Sequence, residues 1–128
     1  MLAVGGSQLA AADDGDNFVG TTCQDVRLSS SNNWRVCDDQ WDSRNLPGYR
    51  SHIINATPID GCPVLPPSVR LRASMQAYGD GGTQSTVTTE GAYCPGLNLT
   101  VSGDAGSTVN VGLLEYNSDT TNVVFAPM

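Results

Sequence analysis

Residues 69–78 alternate apolar and polar over their whole length, so Val69, Leu71, Ala73, Met75 and Ala77 share one face of an extended segment. That period of two predicts a strand. Gly79-Asp80-Gly81-Gly82 predicts the turn after it, because glycine supplies positive φ without steric cost. Residues 85–89 are rich in β-branched side chains and predict a second strand. Alternation returns in Leu97-Asn98-Leu99-Thr100-Val101 and again over residues 108–116, with the turn-forming run Ser102-Gly103-Asp104-Ala105-Gly106 between them. This pair reads as a hairpin with a loop of several residues. Asn117-Ser118-Asp119 predicts a further turn, and residues 122–125 a final strand.

The first half is less regular. Its best strands are residues 25–28, 34–37 and 52–56. The most helix-compatible run, residues 38–44, stops at Asn45-Leu46-Pro47-Gly48 and has room for one turn. Prolines at 58, 63, 66 and 67 predict an extended loop over residues 57–68, since proline cannot donate to a sheet ladder. No internal repeat or heptad stretch is present. The expected fold is all-β: one small domain over residues 18–128, a β-sandwich or partly closed barrel of about seven to eight short strands. Residues 1–17 read as an N-terminal arm or the remnant of a signal segment, because an alanine run precedes Asp13 but no positive stretch opens it.

Cysteine changes this picture. The four sulfurs, Cys23, Cys37, Cys62 and Cys94, are spread along the β pattern and allow three pairings. The simplest is sequential, Cys23–Cys37 and Cys62–Cys94, which gives a domain stapled by two disulfides. Each would stabilise by about 2–4 kcal/mol through restriction of the unfolded chain. Such usage suits an extracellular, cell-surface or virion setting. The competing reading is four buried thiols in a protein folded in a reducing cytoplasm. Zinc is disfavoured, since no two cysteines stand two to four residues apart and there is one histidine.

Charge narrows the partners. The net charge is −7, all six bases are arginine, and of the thirteen acids only Glu90 and Glu115 are glutamate. A net negative surface repels phosphates, so nucleic acid is not expected. No apolar run reaches the length of a membrane span, so membrane insertion is not expected either.

Little in the chain marks catalysis. His52 is the lone imidazole, it sits in an expected strand, and no nucleophile elbow accompanies it. No catalytic residue, metal site or cofactor is assigned. Two acidic clusters, Asp13-Asp14-Gly15-Asp16-Asn17 and Asp38-Asp39 with Asp42, lack the spacing of a calcium loop and read as solvated turns. Asn55 and Asn98 open glycosylation sequons, the first weakened by Pro58.

Two binding surfaces are expected. Trp34, Arg35, Trp41, Arg44 and Tyr49 form the densest aromatic and arginine group, which is the usual chemistry of protein contact sites. Pro63, Val64 and Leu65 lie in the proline loop, which a Cys62 bridge would hold rigid for a partner. The function expected is that of a non-catalytic structural or interaction protein, a self-assembling surface, filament or virion subunit whose partners are copies of itself. The alternative is a secreted binding or protease-inhibitor module using the loop at 57–68 or the Trp34/Trp41 patch.

Overall fold

The alternation of the sequence becomes two layers. The computed structural model describes residues 15–28, 33–60, 69–76, 84–89, 96–115 and 119–128. These hold eight strands: β1 (Asn17–Arg27), β2 (Asn33–Asp42), β3 (Tyr49–Pro58), β4 (Val69–Gln76), β5 (Gln84–Thr89), β6 (Leu97–Asp104), β7 (Thr108–Glu115) and β8 (Asp119–Phe125). They form two antiparallel four-stranded sheets, β1-β2-β3-β6 and β5-β4-β7-β8. The all-β expectation is met by a sandwich and not by a closed barrel.

The core is what the period of two places between the layers. Trp34 and Val36 on β2, Ile54 and Ala56 on β3, and Leu97, Leu99 and Val101 on β6 point inward from one sheet. Val69, Leu71, Ala73 and Met75 on β4, Val109, Val111 and Leu113 on β7, and Val123 and Phe125 on β8 meet them from the other. Burying one such aliphatic or aromatic side chain is worth roughly 1.5–3 kcal/mol, so this layer supplies most of the drive to fold. Asn98, Thr100 and Val124, on the opposite parity, are exposed. Strand β1 differs. It is exposed along nearly its whole length, and of its side chains only Val26 packs against the core.

Three local expectations are corrected. The extended loop expected over residues 57–68 starts later, because Thr57 and Pro58 complete β3 opposite Arg35 and Trp34, and proline is tolerated at a strand end. Residues 38–42 continue β2 instead of making a helical turn: Asp38 pairs with Ile54 and Gln40 with His52 across the ladder. Tertiary pairing and buried polar contacts override the weak helical propensity there. Strands β6 and β7 are not a hairpin. Strand β6 pairs with β3, whereas β7 pairs with β4 and β8, so the connection between them crosses from one sheet to the other. Alternation identifies each strand's buried face, but both faces pack on the same core and the pattern is blind to which sheet holds the strand.

Asn45-Leu46-Pro47-Gly48, expected to stop a helical turn, instead lies in the loop that joins β2 to β3. Ser43 N donates to Tyr49 O at 2.9 Å and Tyr49 N to Leu46 O at 3.1 Å, with Gly48 at φ 78°. The Ser43 hydroxyl accepts from the backbone of Asn45 and Leu46, which caps the loop locally. No helix among the described residues is long and apolar enough to cross a membrane.

Candidate functional site

The parity of β2 and β3 divides their polar residues between two faces. Trp34, Val36, Asp38 and Gln40 share the inward parity on β2, and Arg50, His52, Ile54 and Ala56 share it on β3. Beyond the apolar positions, therefore, each strand carries polar groups into the interior, and these converge into one network.

His52 Nδ1 lies 2.9 and 3.1 Å from the two carboxylate oxygens of Asp38, and both side chains are fully buried. Gln40 Nε2 donates to Asp38 Oδ2 at 3.0 Å and to the Ala126 carbonyl at 3.1 Å. Gln40 Oε1 accepts from Arg50 Nη1 at 2.9 Å and from the Met128 backbone N–H at 3.2 Å. Arg50 also donates to the Met128 carbonyl at 2.9 Å and to Asp42 Oδ1 at 2.7 Å. Residues 126–128 are thus docked along the end of the inner face by polar bonds to β2 and β3. Buried polar groups are tolerated when their partners are in place, and a satisfied network fixes a single arrangement.

This cluster has the composition of a catalytic group but not its access. The Asp38 carboxylate orients His52 through Nδ1, as a base-orienting acid would. Yet neither side chain meets solvent, and His52 Nε2 has no hydrogen-bond partner among the described residues. A general base must come within hydrogen-bond reach of a substrate proton. The nearest serine on the same strand, Ser51, faces the other way and shares a 2.8 Å hydrogen bond with Ser102.

The outer face of the same sheet carries the second polar group. Asp39 is buried there, accepting from the Thr21 hydroxyl at 2.5 Å and from Asn55 Nδ2 at 3.3 Å. Burial pushes its carboxyl above the usual carboxylate range, the Thr21 bond opposes this, and the charge of Asp38 across the sheet adds to the rise. Asp25 behaves oppositely. Its hydrogen bond and ion pair with Arg35, at 2.8 Å, hold its carboxyl below the usual range and raise the guanidinium. Both partners are half exposed, so this pair adds little to stability.

The aromatic and arginine group does not form one surface. Trp34 lies wholly in the core, and Trp41 points to the outer face, where its ring meets that of Phe18 at a tilt of 57° with centroids 5.0 Å apart. Trp41 itself is only 8 % exposed, so Phe18 and Tyr49 are the aromatic rings presented to solvent here. Arg35 is bound to Asp25, while the exposed Arg44 lies against Gly15 and takes a backbone bond to Asp16 Oδ1 at 3.2 Å.

The other expected sites fall as follows. Cys23 and Cys37 are bonded, directly opposite each other on β1 and β2, and an intramolecular disulfide fits an extracellular environment. Cys62, Cys94, Pro63, Val64 and Leu65 lie outside the described residues. Asn98 is exposed, whereas Asn55 is engaged by Asp39. Asp38 and Asp39 are not in the solvated turn expected of them: both are buried on β2, where ladder pairing and hydrogen-bond partners hold them, and they point to opposite faces and do not converge. Among the described residues no group of three or more acids, histidines or cysteines could hold a metal ion.

Sequence reasoning missed the Asp38–His52–Gln40–Arg50 cluster. The signal was present: continuing the parity of Trp34 and Val36 reaches Asp38 and Gln40, and continuing that of Ile54 and Ala56 backward reaches His52 and Arg50. Comparison of the chain with protein-family models, with curated proteins and with solved structures gave no match.

Proposed function

We propose that this is a non-catalytic structural or interaction protein, outside the cell, that works by pairing the exposed edge of β1 with another protein, most simply a second copy of itself. One observation carries the reading. Strand β1 is eleven residues long, exposed along almost all of them, and among the described residues it pairs on one side only, with β2. An unpaired strand edge is a row of donors and acceptors that a second strand can complete. Natural sheets block such edges with lysine and other charges, proline or bulges. This chain has no lysine, and the guards on β1 stand near its two ends, a bulge between Phe18 and Gly20 and the charged Asp25 and Arg27.

The neighbouring β8 covers β1 only lightly. Gln24 Nε2 donates to the Val124 carbonyl at 3.0 Å, and the Val124 side chain beside it is exposed. The burial of His52 and Asp38 supports a structural role for the chain's one imidazole. The negative net charge argues against nucleic acid as the partner.

Light scattering over a concentration series tests the reading. The mass should rise above that of the monomer, and Thr22→Lys, a charge on the exposed β1, should hold the protein monomeric with an unchanged circular dichroism spectrum. A wild-type protein that stays monomeric at millimolar concentration would sink self-assembly.

A further inference from the structure

We propose that the Cys23–Cys37 bond is a thiol–disulfide exchange site, and that a dithiol reductant acting on it frees β1 while the rest of the sandwich stays folded. The consequence for a partner rests on the edge-pairing reading above. The exchange itself rests on where the sulfurs lie.

The two cysteines stand opposite each other on the outer face of the sheet, Cys23 on an edge strand and Cys37 on its only described neighbour. Cys23 is exposed and Cys37 half-buried. A thiolate can therefore approach Cys23 Sγ without any opening of the core, which a bond between the layers would require. The sulfurs also lie on the sheet face and not on the lateral edge, so a strand added to β1 leaves them within reach.

Little else holds β1. Its inward positions Thr22 and Gln24 are exposed, and Val26 is its one side chain against the core. Its other ties are the ladder to β2, the Phe18–Trp41 ring contact, the Thr21–Asp39 bond, the exposed Asp25–Arg35 pair, and two single bonds to β8, from Gln24 to the Val124 carbonyl and from Thr121 to the Arg27 carbonyl. The next core anchor, Leu28, lies just past its end. A strand with so little apolar burial belongs to the part of a fold that opens at low cost. The disulfide is the one covalent tie among them.

The chemistry balances with the dithiol as reductant. Its first thiolate attacks Cys23 Sγ, the sulfur–sulfur bond breaks, and Cys37 leaves with the electron pair as a thiolate. The second thiol of the reductant, once deprotonated, attacks the mixed disulfide and releases the Cys23 thiolate. The protein gains two electrons and, on protonation, two thiols; the reductant becomes its own disulfide.

Two measurements on the full chain test this. In the first, the folded wild type is treated with dilute dithiothreitol, pulsed with an alkylating agent and read by peptide mass spectrometry. Cys23 and Cys37 should be alkylated at least tenfold faster than the amides of β4 and β7 exchange. Alkylation no faster than that exchange overturns the proposal, because the bond would then open only on global unfolding. In the second, Cys23→Ser with Cys37→Ser is compared with wild type by hydrogen exchange. Residues 17–27 should lose protection at least tenfold, with β4, β7 and β8 unchanged. Equal protection of 17–27, or a variant that does not fold at all, overturns it. Light scattering on the same samples separates the two ideas: a monomeric wild type ends the assembly reading and leaves the exchange result standing.

Discussion

Gln40 has two amide donors and one oxygen able to accept twice, and all four positions are filled. It links Asp38 to Arg50 and both to the backbone of residues 126–128. Gln40→Ala would strip a donor from the Asp38 carboxylate, an acceptor from the Arg50 guanidinium and both contacts to the terminal segment. Leaving buried polar groups unsatisfied costs about 1–3 kcal/mol each, and partial entry of water offsets some of this. We expect a loss of about 3 kcal/mol in urea unfolding, with faster amide exchange at Met128. A loss under about 1 kcal/mol would show that the network is ornamental to the fold. At this scale the sequence was legible only in part. Trp34 and Trp41 are seven residues apart and chemically alike, yet parity alone decides that one is core and the other is on the outer face. Reading them as one patch ignored that parity. The same omission hid the buried role of His52, whose neighbours in space come from β2 and the chain's end.

At the scale of elements, strands were the most legible feature, because alternation is a direct imprint of a half-buried sheet. Strands β4, β6 and β7 were placed with its help, with ends shifted by a few residues. Strand β1 was harder to see: with nearly every side chain exposed it carries no alternation, and only residues 25–28 stood out. Partner choice was not legible either, as the sheet-crossing connection between β6 and β7 shows. Some of that choice is fixed by backbone at the ends. Gly96, just before β6, has φ 83°, and a Cβ there would stand 2.5 Å from the Ala56 carbonyl oxygen on β3. No side chain fits without moving β6 away from β3. We expect Gly96→Ala to lower stability by about 2 kcal/mol through backbone strain and the displaced contact. Gly48→Ala is the control: its φ is also positive, at 78°, but nothing lies within 4 Å of its Cβ, so it carries the strain alone. Chemical denaturation of the two variants separates the terms, and equal losses would mean that the close approach to Ala56 contributes nothing.

The molecule as a whole joins an apolar seam between two sheets to a polar end, under a net charge of −7. Its acids do not respond to pH alike. Asp39 has its carboxyl raised by burial, so the folded state holds that proton more tightly than the unfolded chain does. Its contribution to stability is then fully present below the unfolded value near 3.8 and is lost as pH rises through the higher folded value. Asp25 has the opposite sign: its lowered carboxyl favours folding above the unfolded value, and that favour fades as pH falls. Asp25 is exposed and its pair is screened, so of the two Asp39 should dominate the slope on the acid side. Asp39→Asn isolates it. The asparagine oxygen still accepts from Thr21, and rotation of the Asn55 amide offers an acceptor to the new N–H group. Thermal midpoints of both proteins from pH 3 to pH 8 should converge at the acid end. From about pH 4 upward the variant should gain on the wild type, and the gap should level off once wild-type Asp39 is ionised. A gap that stays constant across the range would mean that Asp39 titrates alike in the folded and unfolded chain. The outer face of the sheet would then hold this carboxylate without strain, and its burial beside Thr21 and Asn55 would carry no cost for ionisation.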